Sequence, residues 1–192
     1  MAIHRRDTSA SVVGVITIVF VSWSGLSSAS PDVIAAPRES FCGAAAPRMP
    51  PRMQVAVDLR RAVEVMLSRS PTFRNQCRRL AVAKLLYVRM RYDGRLAERS
   101  VRARTIVQRY RSGVIIAMVE IRPTGPPEEW IAHEFEHVLE QIEGVRLPEL
   151  AGRVRGVWRA SSDMFETERA IRAGQLVAGE VRRRQASDIL VE

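Results

Sequence analysis

Residues 114–144 constrain the fold more than any other stretch of this chain. The run VIIAMVEI, from Val114 to Ile121, is almost continuously apolar and is closed by Pro123, Gly125, Pro126 and Pro127. An apolar run of strand length that ends in turn residues describes a covered strand, and prolines stop it from extending. A helix follows. Pro126 and Pro127 are tolerated in a first turn, Glu128 and Glu129 suit its positive end, and Gly144 supplies a stop after Glu143.

Upstream, Leu85 to Tyr92 alternates apolar residues with Arg89 and Arg91 and ends in the turn signal Asp93-Gly94. VRARTIVQRY, residues 101–110, is rich in β-branched side chains and leads through Arg111-Ser112-Gly113 into the apolar run. These segments predict a three-stranded antiparallel meander, its last two strands joined as a hairpin. Before them, Val55, Leu59, Val63, Met66 and Leu67 recur at helical spacing from Met53 onward, and Ser70-Pro71 caps a second helix reaching about Leu80. A final helix is expected from near Asp163 through Val181. The pattern is α+β in one domain, which suits 192 residues.

The ends have a different character. His4, Arg5 and Arg6 precede SVVGVITIVFVSW, too short to span a bilayer comfortably, and Ser27-Ser28-Ala29 offers a cleavage point. Residues 1–29 read as an export signal, which places the product in a periplasm or outside the cell. Membrane contact is then expected only through that segment if it stays uncleaved. Residues 30–52, with Pro31, Pro37, Pro47, Pro50 and Pro51, read as an arm, leaving 53–192 as the folded domain. Cys42 and Cys77 are free to pair in an oxidising compartment, but no spacing requires it. Composition excludes a disordered chain or a multi-span membrane protein, with 46% hydrophobic and 27% charged residues. The formal charge of +9 is carried almost wholly by arginine, since Lys84 is the only lysine. That bias alone predicts no specific nucleic-acid partner.

The third helix contains His133-Glu134-Phe135-Glu136-His137. Histidines four apart sit about 40° apart around a helix axis, so both imidazoles reach one zinc ion. Glu134, beside the first ligand, is placed to take a proton from a zinc-bound water. The chain holds 3 histidines, and the third, His4, lies in the export segment.

This motif resembles the zincin clan of metallopeptidases, over about residues 101–181. The resemblance implies a small antiparallel sheet packed on the HExxH helix and on a following ligand-bearing helix. It also implies a zinc cofactor and a peptide or protein substrate held along a strand, with Ile116 and Met118 on the strand above the site. Tyr110 is a candidate for the substrate pocket or the oxyanion. A metzincin-like third ligand fails, because Glu140 and Glu143 stand where Gly and His are needed. A gluzincin-like reading takes the third ligand from Phe165-Glu166-Thr167-Glu168. On a helix, Glu166 shares a small apolar face with Ala170, Ala173, Gly174, Val177 and Val181, which favours it over Glu168. A capping box from Asp163 to Glu166 is the competing account of that acid. The competing function is an exported metal-containing binding module without catalysis. Its grip on an anionic partner would come from Arg89, Arg91, Arg102, Arg104, Arg109 and Arg111.

Overall fold

The computed structural model describes residues 12–21, 49–99 and 101–189. The elements are β1 (Val12–Val21), β2 (Met53–Val55), α1 (Val57–Arg69), α2 (Pro71–Val82), β3 (Leu86–Tyr92), a 3-10 segment (Gly94–Arg99), β4 (Val101–Tyr110), β5 (Ile115–Ile121), α3 (Glu128–Ile142), the one-turn α4 (Leu147–Leu150), β6 (Val157–Ser161), β7 (Met164–Thr167) and α5 (Glu168–Ile189). The class is α+β, with a five-stranded sheet in the order β1-β4-β5-β3-β2 and a separate β6-β7 hairpin.

The sheet is mixed, which corrects the antiparallel meander. β4 and β5 form the expected hairpin, with Gly113 at φ 83° in its turn. β3 instead runs parallel to β5, with Leu86 opposite Ile115 and Tyr92 opposite Ile121. The apolar β5 takes the centre, where both its edges are paired, and the arginine-bearing β3 and β4 flank it. Met53–Val55 is strand and not the start of the first helix. It pairs parallel with β3, and the Ala56 amide donates to the Met90 carbonyl at 2.9 Å before α1 begins. Three residues fit either periodicity, so local pattern does not decide between them.

The helices cover one face of the sheet. Val88, Met90, Ala103, Val107, Ala117, Val119 and Ile121 point into a single core with Leu59 and Val63 of α1, Phe73 and Cys77 of α2, Phe135 and Val138 of α3 and Val177 of α5. Phe73 and Phe135 stack with ring centroids 5.4 Å apart, locking α2 onto α3. Ser70 caps α2 as expected, its hydroxyl accepting from the Phe73 amide at 2.9 Å. Burial pushes the Cys77 thiol up to about 12, so it is an inert core group. Cys42 lies outside the described residues.

On the opposite face Arg91 and Arg104 both donate to Glu120, which is buried between them. Arg109 leaves that face altogether, donating to the Gln141 carbonyl on the helix side. The arginines therefore do not form one continuous free patch.

α5 begins at Glu168, later than expected, because Met164–Thr167 first pairs antiparallel with β6. The small-residue stripe is nevertheless used. A Cβ added at Gly174 would lie 2.7 Å from the Glu129 carbonyl oxygen, so only glycine lets α5 approach α3 this closely.

Of the expected export segment, Val12–Val21 is a strand antiparallel to β4, and the rest lies outside the described residues, as does most of the proline-rich arm. Among the described residues no helix is long and apolar enough to cross a membrane.

Candidate metal centre

α3 is the axis of the site. Every residue from Ile131 to Gln141 is buried, an environment that a lone surface helix does not offer its histidines. Its end is fixed by the Val145 amide donating to the Glu140 carbonyl at 2.9 Å, with Gly144 at φ 79° making the turn. Within HEFEH the roles separate by face. Phe135 enters the core, while Glu136 faces α2 and α5. There Gln76 Nε2 donates to it at 2.7 Å and Arg169 Nε at 2.7 Å, so three helices are pinned by one carboxylate.

His133 and His137 turn the other way. Their Nε2 atoms lie 3.1 Å apart. Glu166, on β7, brings Oε2 to 3.3 Å from His133 Nε2 and Oε1 to 3.3 Å from His137 Nε2. The three side chains thus converge at nearly equal spacing. A tetrahedral zinc with bonds of about 2.0 Å has ligand-to-ligand edges of about 3.3 Å. The donor set of two imidazoles and one carboxylate suits the same ion. Among the described residues, Glu166 Oε2 and Glu134 Oε1 are both buried without an aligned hydrogen-bond donor, an arrangement that a cation relieves. The residues fit the metal.

Glu166 thus occupies the expected place in the site, but on different backbone: it is in the strand before α5 and not on a helix. That also removes the capping box, because Thr167, and not Asp163, caps α5 by accepting from the Ala170 amide at 3.0 Å. Glu168 is half exposed and bonded to Arg172, away from the imidazoles.

The electrostatics favour positive charge where the imidazoles converge. Burial alone pushes the Glu166 carboxyl up, yet its contacts with His133 and His137 outweigh burial and hold it at about 2. Burial likewise works against charge on His137, but Glu140 and Glu166 raise it to about 10. Burial pushes the Glu134 carboxyl above its ordinary range, against the pull of His133, His137 and the Thr105 hydroxyl. A carboxylate whose proton affinity is raised is suited to accepting a proton in a reaction.

No protein-family model, curated protein or solved structure matches the chain. The site therefore stands on its own geometry.

Three residues of this geometry escape a reading of the sequence. Thr105 Oγ1 donates to Glu134 Oε2 at 2.7 Å and so aims the other carboxylate oxygen. A signal for it exists, since it falls in phase with the inward-facing Val101, Ala103 and Val107, a hydroxyl within a buried apolar row. Glu140 lies 2.8 Å from His137 Nδ1 and accepts its hydrogen bond, which turns the other ring nitrogen, Nε2, toward Glu166. Thr167 Oγ1 donates to the other Glu140 oxygen at 2.7 Å, tying α3 to β7 beside His137 and Glu166. Glu140 is three residues beyond His137 on the same helix, a spacing that brings side chains into contact.

The remaining expected residues do not join the site. Ile116 and Met118 alternate with the core-facing Ala117 and Val119, so they lie on the sheet face turned away from α3. β5 is also an interior strand, with neither edge open for a peptide. Tyr110 is half-buried at the end of β4, its hydroxyl donating to Gln108 Oε1 at 3.2 Å.

The Glu140 bond carries a prediction. Glu140→Gln keeps the shape but replaces the anionic acceptor of the His137 proton, and the zinc dissociation constant should rise about 10- to 100-fold. Competition with a chromophoric chelator measures it. An unchanged constant would reduce Glu140 to a structural group.

Proposed function

We propose that this chain is a zinc-dependent hydrolase, most simply a peptidase, with His133, His137 and Glu166 as zinc ligands and Glu134 as general base. The observation that carries the reading is the convergence of His133 Nε2, His137 Nε2 and the Glu166 oxygens, at 3.1 to 3.3 Å from one another, beside a buried Glu134 carboxylate oxygen with no donor among the described residues. Three protein ligands leave one position of a tetrahedral ion open, the hallmark of a catalytic and not a structural zinc. When bound, zinc supplies Lewis acidity and lowers the pKa of water at that open position.

The protein's own part is positional. Thr105 holds one oxygen of Glu134 and leaves Oε1 to receive a proton and pass it on. Glu140 and Thr167 keep His137 from rotating, and the α3–α5 packing at Gly174 sets the distance between the helix and the segment that carries Glu166. A zincin-like arrangement, with the HExxH helix beneath a sheet, is the finer fold reading that accompanies this function. Export through residues 1–29 belongs to the same proposal.

The charged-surface alternative has less support. Arg91 and Arg104 are both paired with Glu120, Arg104 and Arg95 also meet Asp93, and Arg109 is turned inward, so these side chains are already engaged within the fold.

Purified protein should carry stoichiometric zinc by elemental analysis and cleave a quenched casein or peptide-library substrate. A chelator should abolish the cleavage and added zinc restore it. Metal-free protein as isolated that also refuses added zinc would end the proposal.

A further inference from the structure

A hydrolase must admit its substrate, yet His133 and Glu134 are 1% and 0% exposed, His137 0% and Glu166 3%. Something must move, and the topology names it. β4 is paired on one side with β5 and on the other only with β1. β1 runs antiparallel to β4, with Ile16 opposite Val107, Ile18 opposite Thr105 and Phe20 opposite Ala103. Thr105 is the residue that holds Glu134. The same strand lies against β7, which carries Glu166. β1 therefore bridges the two elements that bring the general base and the third ligand together. On the β4 side it does so through backbone hydrogen bonds, the way an edge strand holds any extended polypeptide.

We propose that Val12–Val21 is a strap: it occupies the outer edge of β4, seals the His133–His137–Glu166 group while attached, and exposes it when detached. This rests on the hydrolase reading for its consequence, though not for its structural content. The sequence supplies a reason for detachment, because residues 1–29 have the form of a segment removed on export, with Ser27-Ser28-Ala29 as the cut. Removal of that segment would take β1 away whole and leave β4 as an open edge beside Glu134. The chain would then be latent before export and competent after it, and the ligand class of the freed edge is an extended apolar peptide like the strap itself.

The test uses the intact 192-residue chain and reads strap release separately from catalysis. Ile18→Pro removes a ladder donor and fixes the backbone beside Thr105. Amide hydrogen exchange in β4 should speed up by at least about tenfold in that variant, and a chelator should extract zinc at least about tenfold faster. The complementary variant joins the register partners as Thr17→Cys with Ile106→Cys, in a Cys42→Ser background. Oxidised, it should release zinc at least about tenfold more slowly than after reduction, and peptide cleavage should be slower in the oxidised form as well. Unchanged β4 exchange in the proline variant, or equal zinc release from the locked and reduced forms, would overturn the strap. Failure of every form to take up zinc would instead sink the metal reading, and β4 exchange would still judge the strap.

Discussion

Glu134→Gln should keep its zinc and lose its chemistry, with peptide cleavage slowed by about 100- to 10,000-fold, the range that a positioned general base contributes. The substitution is nearly isosteric. In the unaltered chain Thr105 Oγ1 donates to Glu134 Oε2 at 2.7 Å, and an amide oxygen in the same place still accepts that bond. The amide nitrogen then takes the place of Oε1, which has no donor to lose among the described residues. What disappears is the capacity to accept a proton. Because burial already raises the Glu134 carboxyl above its ordinary range, a neutral side chain there costs the fold little, and thermal unfolding should be unchanged or slightly raised. Zinc content by elemental analysis, turnover and the melting temperature together check this. Retained turnover removes Glu134 from the mechanism. Loss of zinc with turnover would instead make Glu134 a ligand.

How far the chain can be read in advance follows from which interactions are local. Ser70, Pro71 and the acids of the α3 first turn act within a few residues of themselves, and the helices they announce start where expected. The HEFEH spacing is likewise local, and it carries both imidazoles to the same place. The sheet order is not legible, because the parallel pairing of β3 with β5 depends on which strand gains most from the centre, a comparison between segments and not a property of one. Glu166 shows the difference most clearly. Helical phase selects it over Glu168 on a backbone that proves to be extended. The buried row behind that choice, Ala170, Gly174, Val177 and Val181, belongs to α5 and does face α3, so the inference survives because that stripe starts only four residues after Glu166. Glu140 stands where a metzincin-like pattern needs Gly; its spacing from His137 is local, but Thr167, which holds its other oxygen, comes from β7, and only the fold brings it there.

The sharpest separation between ligand and neighbour comes from the two acids at the β7–α5 junction. Glu166→Gln should weaken zinc binding by more than the roughly 100-fold that a supporting residue controls, whereas Glu168→Gln should leave it unchanged. The contrast is physical. Glu166 is 3% exposed and stands 3.3 Å from both imidazoles, and their contacts hold its carboxyl at about 2 against the cost of burial. Glu168 is bonded to Arg172 at the surface, where an exposed pair contributes little. The amide at 166 keeps the volume, and its oxygen can still accept from the Thr167 amide, which in the unaltered chain donates to Glu166 Oε1 at 2.7 Å, so the β7 backbone has no cause to move. The anionic charge is what is lost, and with it the one carboxylate in the proposed set of two imidazoles and an acid. Calorimetric titration of both metal-free variants with zinc measures the difference, and circular dichroism confirms that each is folded. Equal zinc affinity for Glu166→Gln and the unaltered chain would remove the third ligand. A loss confined to Glu168→Gln would show that the helix starts earlier in solution and turns the other acid toward the histidines.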